Sequence, residues 1–318
     1  MYHKKQSGFS FLYLLVALLV VILICFATYL VFNRKTQTSD SGKKQSDVSL
    51  EQKTLTYEQG IRLQPSDFGV AAGLPVADVS AVKLPDGRWR IYAFAQNQGI
   101  VSAISNDGLI FKAENGVRQG GGAGMPRTIK LNDGRYRMYF IEKGGVGSSV
   151  SGNGLDFTTE PGLRITQPKG VKEISGISTP IKLSDDKWHV YFSDLPRPGD
   201  GLKPHVIYSA TSLDLYTWEL DDGFRIGGDK VAKTAEHPDA VLRPDGKLLL
   251  YYFINDSQKL VTSLTSDGLV FSDYHETGLD CNDPNIVTIG DGNYRIYCGK
   301  FDKSIGGFVK SSLVKSLP

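Results

Sequence analysis

Val82-Lys83-Leu84-Pro85-Asp86-Gly87-Arg88-Trp89-Arg90-Ile91-Tyr92 decides the fold, because the chain repeats this pattern four more times. The second copy is Ile129-Lys130-Leu131-Asn132-Asp133-Gly134-Arg135-Tyr136-Arg137-Met138-Tyr139. The third is Ile181-Lys182-Leu183-Ser184-Asp185-Asp186-Lys187-Trp188-His189-Val190-Tyr191. Val241-Leu242-Arg243-Pro244-Asp245-Gly246-Lys247-Leu248-Leu249-Leu250-Tyr251 is the fourth, and Val287-Thr288-Ile289-Gly290-Asp291-Gly292-Asn293-Tyr294-Arg295-Ile296-Tyr297 the fifth. Asp-Gly between apolar runs of period two signals a hairpin, since glycine accepts the positive φ of a tight turn. Each copy therefore joins the first two strands of one small sheet. Successive copies begin 46 to 60 residues apart, which is room for four strands. Such a repeat predicts an all-β fold, a five-bladed β-propeller.

A second motif follows in the first four repeats. It reads Ser105-Asn106-Asp107-Gly108-Leu109-Ile110-Phe111, Ser151-Gly152-Asn153-Gly154-Leu155-Asp156-Phe157, Ser212-Leu213-Asp214-Leu215-Tyr216-Thr217-Trp218 and Thr265-Ser266-Asp267-Gly268-Leu269-Val270-Phe271. Its short polar side chains can hydrogen-bond back onto a turn between the third and fourth strands, and its aromatic residue anchors the blade. These segments resemble the Asp-box of sialidases and related glycosidase propellers. The resemblance implies a structural role for them, away from any active site.

A glycine and then an arginine follow three of these motifs, at Gly116 and Arg118, Gly162 and Arg164, Gly223 and Arg225; the fourth has Gly278 and Asp280. The fifth repeat lacks the motif and stops after its third strand, around Gly307 to Ser312. Leu55-Thr56-Tyr57-Glu58-Gln59-Gly60-Ile61-Arg62 supplies what is missing, a fourth strand with its Gly and Arg. An N-terminal strand would thus complete the last blade and close the ring, leaving no open sheet edge.

The composition agrees. The 318 residues include 35 Gly, 15 Tyr and 15 Phe but 3 Met, the profile of a turn-rich β domain rather than a helical bundle. A net charge of +2 lacks the basic excess of a nucleic-acid-binding surface, so no nucleic-acid partner is expected. Cys281 and Cys298 flank the hairpin at Gly290-Asp291-Gly292, so they either form a disulfide or remain two buried thiols.

Residues 1–8 form a short basic leader with Lys4 and Lys5. Phe9 to Phe32 is an uncharged apolar run of 24 residues, enough to cross a bilayer as a transmembrane helix. Residues 33–53 are polar and read as a flexible tether, leaving 54–318 for the propeller. The expected location is membrane-anchored through residues 9–32, with the propeller outside the cytoplasm. The leader also resembles that of type IV prepilins, with Gly8-Phe9 as the peptidase site. Tyr13 stands where that family carries a glutamate used in assembly. An ordinary signal anchor fits the same residues.

In a propeller the first strands line the central channel, and ligands sit where those strands begin. Counted back from the hairpins, Asp78, Met125, Ile177, His237 and Asp283 occupy equivalent positions there. This layout resembles five-bladed glycoside hydrolases of the arabinanase, xylosidase and fructosidase type. The resemblance implies that Asp78 is the base or nucleophile and that Glu236, followed by Pro238, is the acid. It also implies a supporting Asp in the third blade, where Ile177-Ser178-Thr179 stands instead, with Glu173 four residues earlier.

Arg127, His237, Asp239, Asp283 and Asn285 are the candidate substrate-binding residues. Asp78 and Asp283 can equally cap strand starts, and His237 can be a structural histidine or face a central channel ion. No other cofactor is expected. The partner class is a carbohydrate or cell-surface glycan. Three functions follow: a tethered glycosidase-like propeller, a non-catalytic glycan- or protein-binding propeller, and a pilus-associated surface protein.

Overall fold

The computed structural model describes residues 54–171, 173–195 and 205–318. The expected leader, the expected anchor at 9–32 and the expected tether lie outside these residues. Among the described residues, no helix is long and apolar enough to cross a membrane.

Five antiparallel sheets follow one another along the chain. Blade I comprises Val76–Lys83, Trp89–Ala95, Gly99–Ser105 and Lys112–Gln119. Blade II comprises Gly124–Lys130, Tyr136–Glu142, Gly145–Ser151 and an outer strand split into Thr158–Thr159 and Ile165–Thr166. Blade III contains Ile174–Ile177 and Ile181–Lys182 as its interrupted first strand, then Trp188–Asp194, Ile207–Ser212 and Glu219–Leu220. Blade IV is Glu236–Leu242, Leu248–Ile254, Lys259–Thr265 and Ser272–Glu276; blade V is Pro284–Gly290, Asn293–Asp302 and Gly306–Val314.

The core lies between blades. Val76, Val79 and Ile91 of blade I, for example, share a buried cluster with Tyr297 and Val309 of blade V.

The repeated tyrosine explains how neighbouring blades lock. Tyr92 of blade I donates its hydroxyl to the carbonyl of Gly154, in the Ser-x-Asn turn of blade II, at 2.8 Å. Tyr139 reaches Leu215 of blade III, Tyr191 reaches Gly268 of blade IV, and Tyr297 reaches Gly108 of blade I. The same four rings meet Phe157, Trp218, Phe271 and Phe111 edge-on. Each pairing combines aromatic burial with a satisfied buried carbonyl. The turns are themselves pinned: Ser105 Oγ accepts from Gly108 N, and Asp107 Oδ1 accepts from Leu109 N and Ile110 N. These bonds, that from Ile110 first, hold the Asp107 carboxyl down at about 2.

Ring closure uses the predicted N-terminal stretch, but in a less regular form. Glu58 N donates to Ser311 O, Arg62 N to Val309 O, and Val309 N to Leu63 O. Among the described residues, the stretch pairs with the last strand through the single β-bridge of Leu63 and Val309, so it is not a continuous strand. Gly60, at φ +88°, breaks the extended run. Arg62 then folds back to the Gln59 carbonyl at 2.6 Å while its other nitrogen reaches Leu109 of blade I at 2.8 Å. Arg118 and Arg164 repeat this reach into the next blade, at Leu155 and Tyr216. The Gly-x-Arg motif is therefore an interblade clasp that costs the outer strand its regularity.

Cys281 and Cys298 form a disulfide. It ties the connection leaving blade IV to the middle strand of blade V, at the interface where the turn motif is missing.

Candidate active site at the channel mouth

The mouth is the end of the ring where the first strands begin. There the strands of blades I, II and IV each carry a bulge, between Ala77 and Ser80, Gly124 and Arg127, and Glu236 and Asp239. Asp78, Met125 and His237 sit in these bulges with φ of 55°, 53° and 46°. Non-glycine residues in this left-handed region are strained, and a bulge re-aims the side chain it carries. Asp78 and His237 are brought together in this way.

Asp283 of blade V completes the cluster. Its Oδ1 lies 3.0 Å from His237 Nδ1. Asp78 shares a hydrogen bond with Asp283, so one proton serves two carboxyl groups. Burial, reinforced by the negative charge of Asp283, pushes Asp78 up to about 8. Burial opposes the charge on His237, but Asp283, Asp78 and Glu236 outweigh it and raise the imidazole to about 9. Asp283 moves the other way: burial would raise it, yet the charge and hydrogen bond of His237 hold it below its usual range. At neutral pH the cluster is thus a neutral Asp78, an ionised Asp283 and a protonated His237.

Glu236 is buried at the start of the first strand of blade IV, 6% exposed. His205 Nδ1 approaches its Oε1 at 3.3 Å. The two pair by charge and proximity rather than by a well-aligned hydrogen bond, and among the described residues neither atom has another hydrogen-bond partner.

One layer deeper, Arg127, Asp239 and Asn285 form a polar knot rather than an open surface. They are 2%, 0% and 1% exposed. Asp239 accepts from Thr179 N at 2.7 Å, Ile286 N at 2.8 Å and Asn285 Nδ2 at 3.0 Å. Arg127 Nε stands 3.6 Å from Asp239, and its terminal nitrogens donate to the carbonyls of Val79 and Pro284. Asn285 in turn accepts from Ala81 N. These contacts tie together the first strands of all five blades, with Arg127 contributed by blade II and Thr179 by blade III. Among the described residues, no three His, Cys, Asp or Glu side chains converge to hold a metal ion.

No family model matches the chain, and no curated protein matches it in sequence. Solved structures do match. A thermostable family-43 glycoside hydrolase superposes with a TM-score of 0.60 at 14% identity, over 81% of this chain and 92% of that one. An endo-arabinase from Bacteroides thetaiotaomicron gives 0.60 at 14%, over 79% and 96%. A family-117 glycoside hydrolase from Zobellia galactanivorans gives 0.59 at 14%, over 83% and 90%. The likeness is one of fold.

Sequence reasoning missed three residues of the mouth. His205 stands outside every repeat and carries no motif. Gly176 leaves room for His237, since a Cβ there would lie 2.9 Å from the His237 Cα and Cδ2. Gly299 does the same for Asp283, whose Oδ2 would be 2.6 Å from an added Cβ. Gly176 also corrects the register. Ile177 pairs with Phe192, so Ser178 faces Tyr191 and the equivalent of Asp78 in blade III is Gly176. Thr179-Pro180-Ile181 holds one residue more than Ala81-Val82, and counting back from the hairpin slips by one.

Proposed function

We propose that the channel mouth binds a carbohydrate and that Asp78 and Glu236 act on its glycosidic bond. The observation that carries this reading is the convergence of Asp78, Asp283 and Glu236 on His237 at the mouth, which brings several carboxyl groups to one place. Glycoside hydrolysis needs one protonated and one ionised carboxyl group across the scissile bond. The likeness in fold to several glycoside hydrolases supports the substrate class. In this reading His237 and Asp283 set the protonation of Asp78 and meet the sugar, while Arg127, Asp239 and Asn285 hold the first strands in place beneath it.

A non-catalytic glycan-binding propeller is the second reading. It is favoured by Asp78, which as a base is disabled while it keeps its proton, and by Gly176, which offers no supporting carboxyl in blade III. Incubation with arabinan, xylan, fructan oligosaccharides and the matching aryl glycosides separates the two. Turnover lost in both Asp78→Asn and Glu236→Gln establishes the enzyme. Binding without turnover establishes the module, and neither binding nor turnover rejects both.

We further place the propeller outside the cytoplasm, tethered through residues 9–32. The buried Cys281–Cys298 disulfide supports an oxidising compartment. The turn motifs, read as Asp-boxes, serve the interblade lock. A mature N-terminus at Phe9, seen by mass spectrometry, would favour prepilin-type processing; an intact Met1 would exclude it.

A further inference from the structure

We propose that the face opposite the mouth docks on a lipid surface through the tips of its turn motifs, leaving the mouth turned away from the bilayer. This rests on the tethered reading above and adds to it the surface by which the propeller meets the membrane.

Neighbouring strands of a blade are antiparallel. A first strand that begins at the mouth therefore ends at its Asp-Gly hairpin, and the turn motif between third and fourth strands lies at that same far end. Among the described residues, the three most exposed large apolar side chains are Ile110 at 78%, Leu213 at 77% and Val270 at 69%. All three stand in turn motifs, in blades I, III and IV, and hence at one end of the ring. Single apolar residues scattered over a surface are ordinary, but a set gathered at one end marks an interaction face. Phe301, at 62%, lies at the other end, where the second strand of blade V finishes.

The path of the chain points to the partner. Glu58 does for blade V what Glu114 does for blade I. Each accepts from a serine hydroxyl, Ser311 at 2.6 Å and Ser102 at 2.7 Å, and each pairs with an arginine, Arg295 and Arg90. Thr54, four residues before Glu58, thus takes the place that Ile110 holds before Glu114. The chain enters the propeller among the turn tips, and residues 33–53 alone join this entry to the uncharged run at 9–32. If that run lies in a bilayer, the turn tips are the end of the propeller joined to it.

Charge is largely spent within this face. Hairpin acids pair with their own neighbours, Asp86 with Arg88, Asp133 with Arg135 and Asp245 with Arg243. The motif carboxylates of Asp107, Asp214 and Asp267 accept from backbone N–H groups of their own turns. Docking therefore depends on apolar tips entering the interface, so a neutral phosphatidylcholine surface suffices and salt has little effect.

The test is photolabelling of the full chain in phosphatidylcholine vesicles whose lipid carries a diazirine on its acyl chain, read by peptide mass spectrometry. Label is expected in residues 9–32 and at the turns of Ile110, Leu213 and Val270, but not at Phe301, with or without added salt. The triple variant Ile110→Ser, Leu213→Ser, Val270→Ser should lose about tenfold of the label at these turns and keep that at 9–32. Its melting temperature in detergent should match wild type, because the three side chains are exposed. Label at 9–32 without label at the turns would overturn the docking face and leave the tether standing, as would turns covered by a second copy. Turns labelled equally in the triple variant would overturn it too. No label at 9–32 would reject the tethered reading, and the docking face with it.

Discussion

His237 of blade IV holds its Nδ1 3.0 Å from Oδ1 of Asp283 in blade V, with 18% and 13% of their side chains exposed. The pair stabilises itself as imidazolium and carboxylate, and burial, reinforced by that carboxylate, keeps the proton on Asp78 of blade I. Three blades thus contribute to one shared protonation state. A change at any of them moves the others.

The first consequence is a diagnostic pH profile for any hydrolytic activity. If Asp78 acts as base, its proton must leave, and kcat/KM should rise with pH through about 8. If Asp78 acts as acid, the rate should fall through the same value. Asp283→Asn removes the neighbouring charge and should move this limb to lower pH. A limb that stays put in that variant assigns it to another group.

Stability should respond to the same groups. The raised Asp78 binds a proton more tightly when folded, so its contribution is lost as pH climbs from about 4 towards 8. The raised His237 contributes fully below about 6.5 and loses that contribution as pH passes about 9. Asp283, lowered, opposes only on the acid side. The melting temperature should therefore drop between pH 7 and 9. Asp78→Asn should flatten the drop, and an unchanged slope would contradict the assignment.

Asp239 and Asp283 are both acidic residues at first strands, yet they should behave differently. Asp239→Ala strips the buried Arg127 of its counter-charge and leaves Thr179 N and Ile286 N unpaired. A loss of about 3–5 kcal/mol is expected, enough to prevent folding of a marginal domain. Asp283→Asn, at the solvent edge, should fold with a native circular dichroism spectrum. Equal denaturation midpoints for the two would show that the knot carries no stability.

Reduction of the disulfide tests the interface between blades IV and V. It closes a loop with a sequence separation of 17, for which chain entropy gives about 3 kcal/mol. The double variant Cys281→Ser, Cys298→Ser should melt roughly 6–12 °C lower than wild type. Differential scanning calorimetry under oxidising conditions reads this directly, and no shift would mean that packing around Leu249 and Tyr251 already secures the interface.

Much of this molecule is written locally. Asp-Gly or Asp-Asp turns, alternating strands and a tyrosine within each second strand recur in all five copies, and hairpins depend on neighbours in sequence. The blade number, the use of Leu55 to Arg62 in closure and the gathering of Asp78, His237, Asp283 and Glu236 at one end all follow from that repeat. Tertiary structure decided what repeats cannot encode. Whether a polar side chain meets water or a partner depends on residues from other blades. Arg127, Asp239 and Asn285 therefore turned inward to one another, while Asp78 and Asp283 came to share a proton. Gly176, Gly299 and His205 acquire meaning only from the atoms across the channel that they admit or face, and no spacing along the chain records such distances.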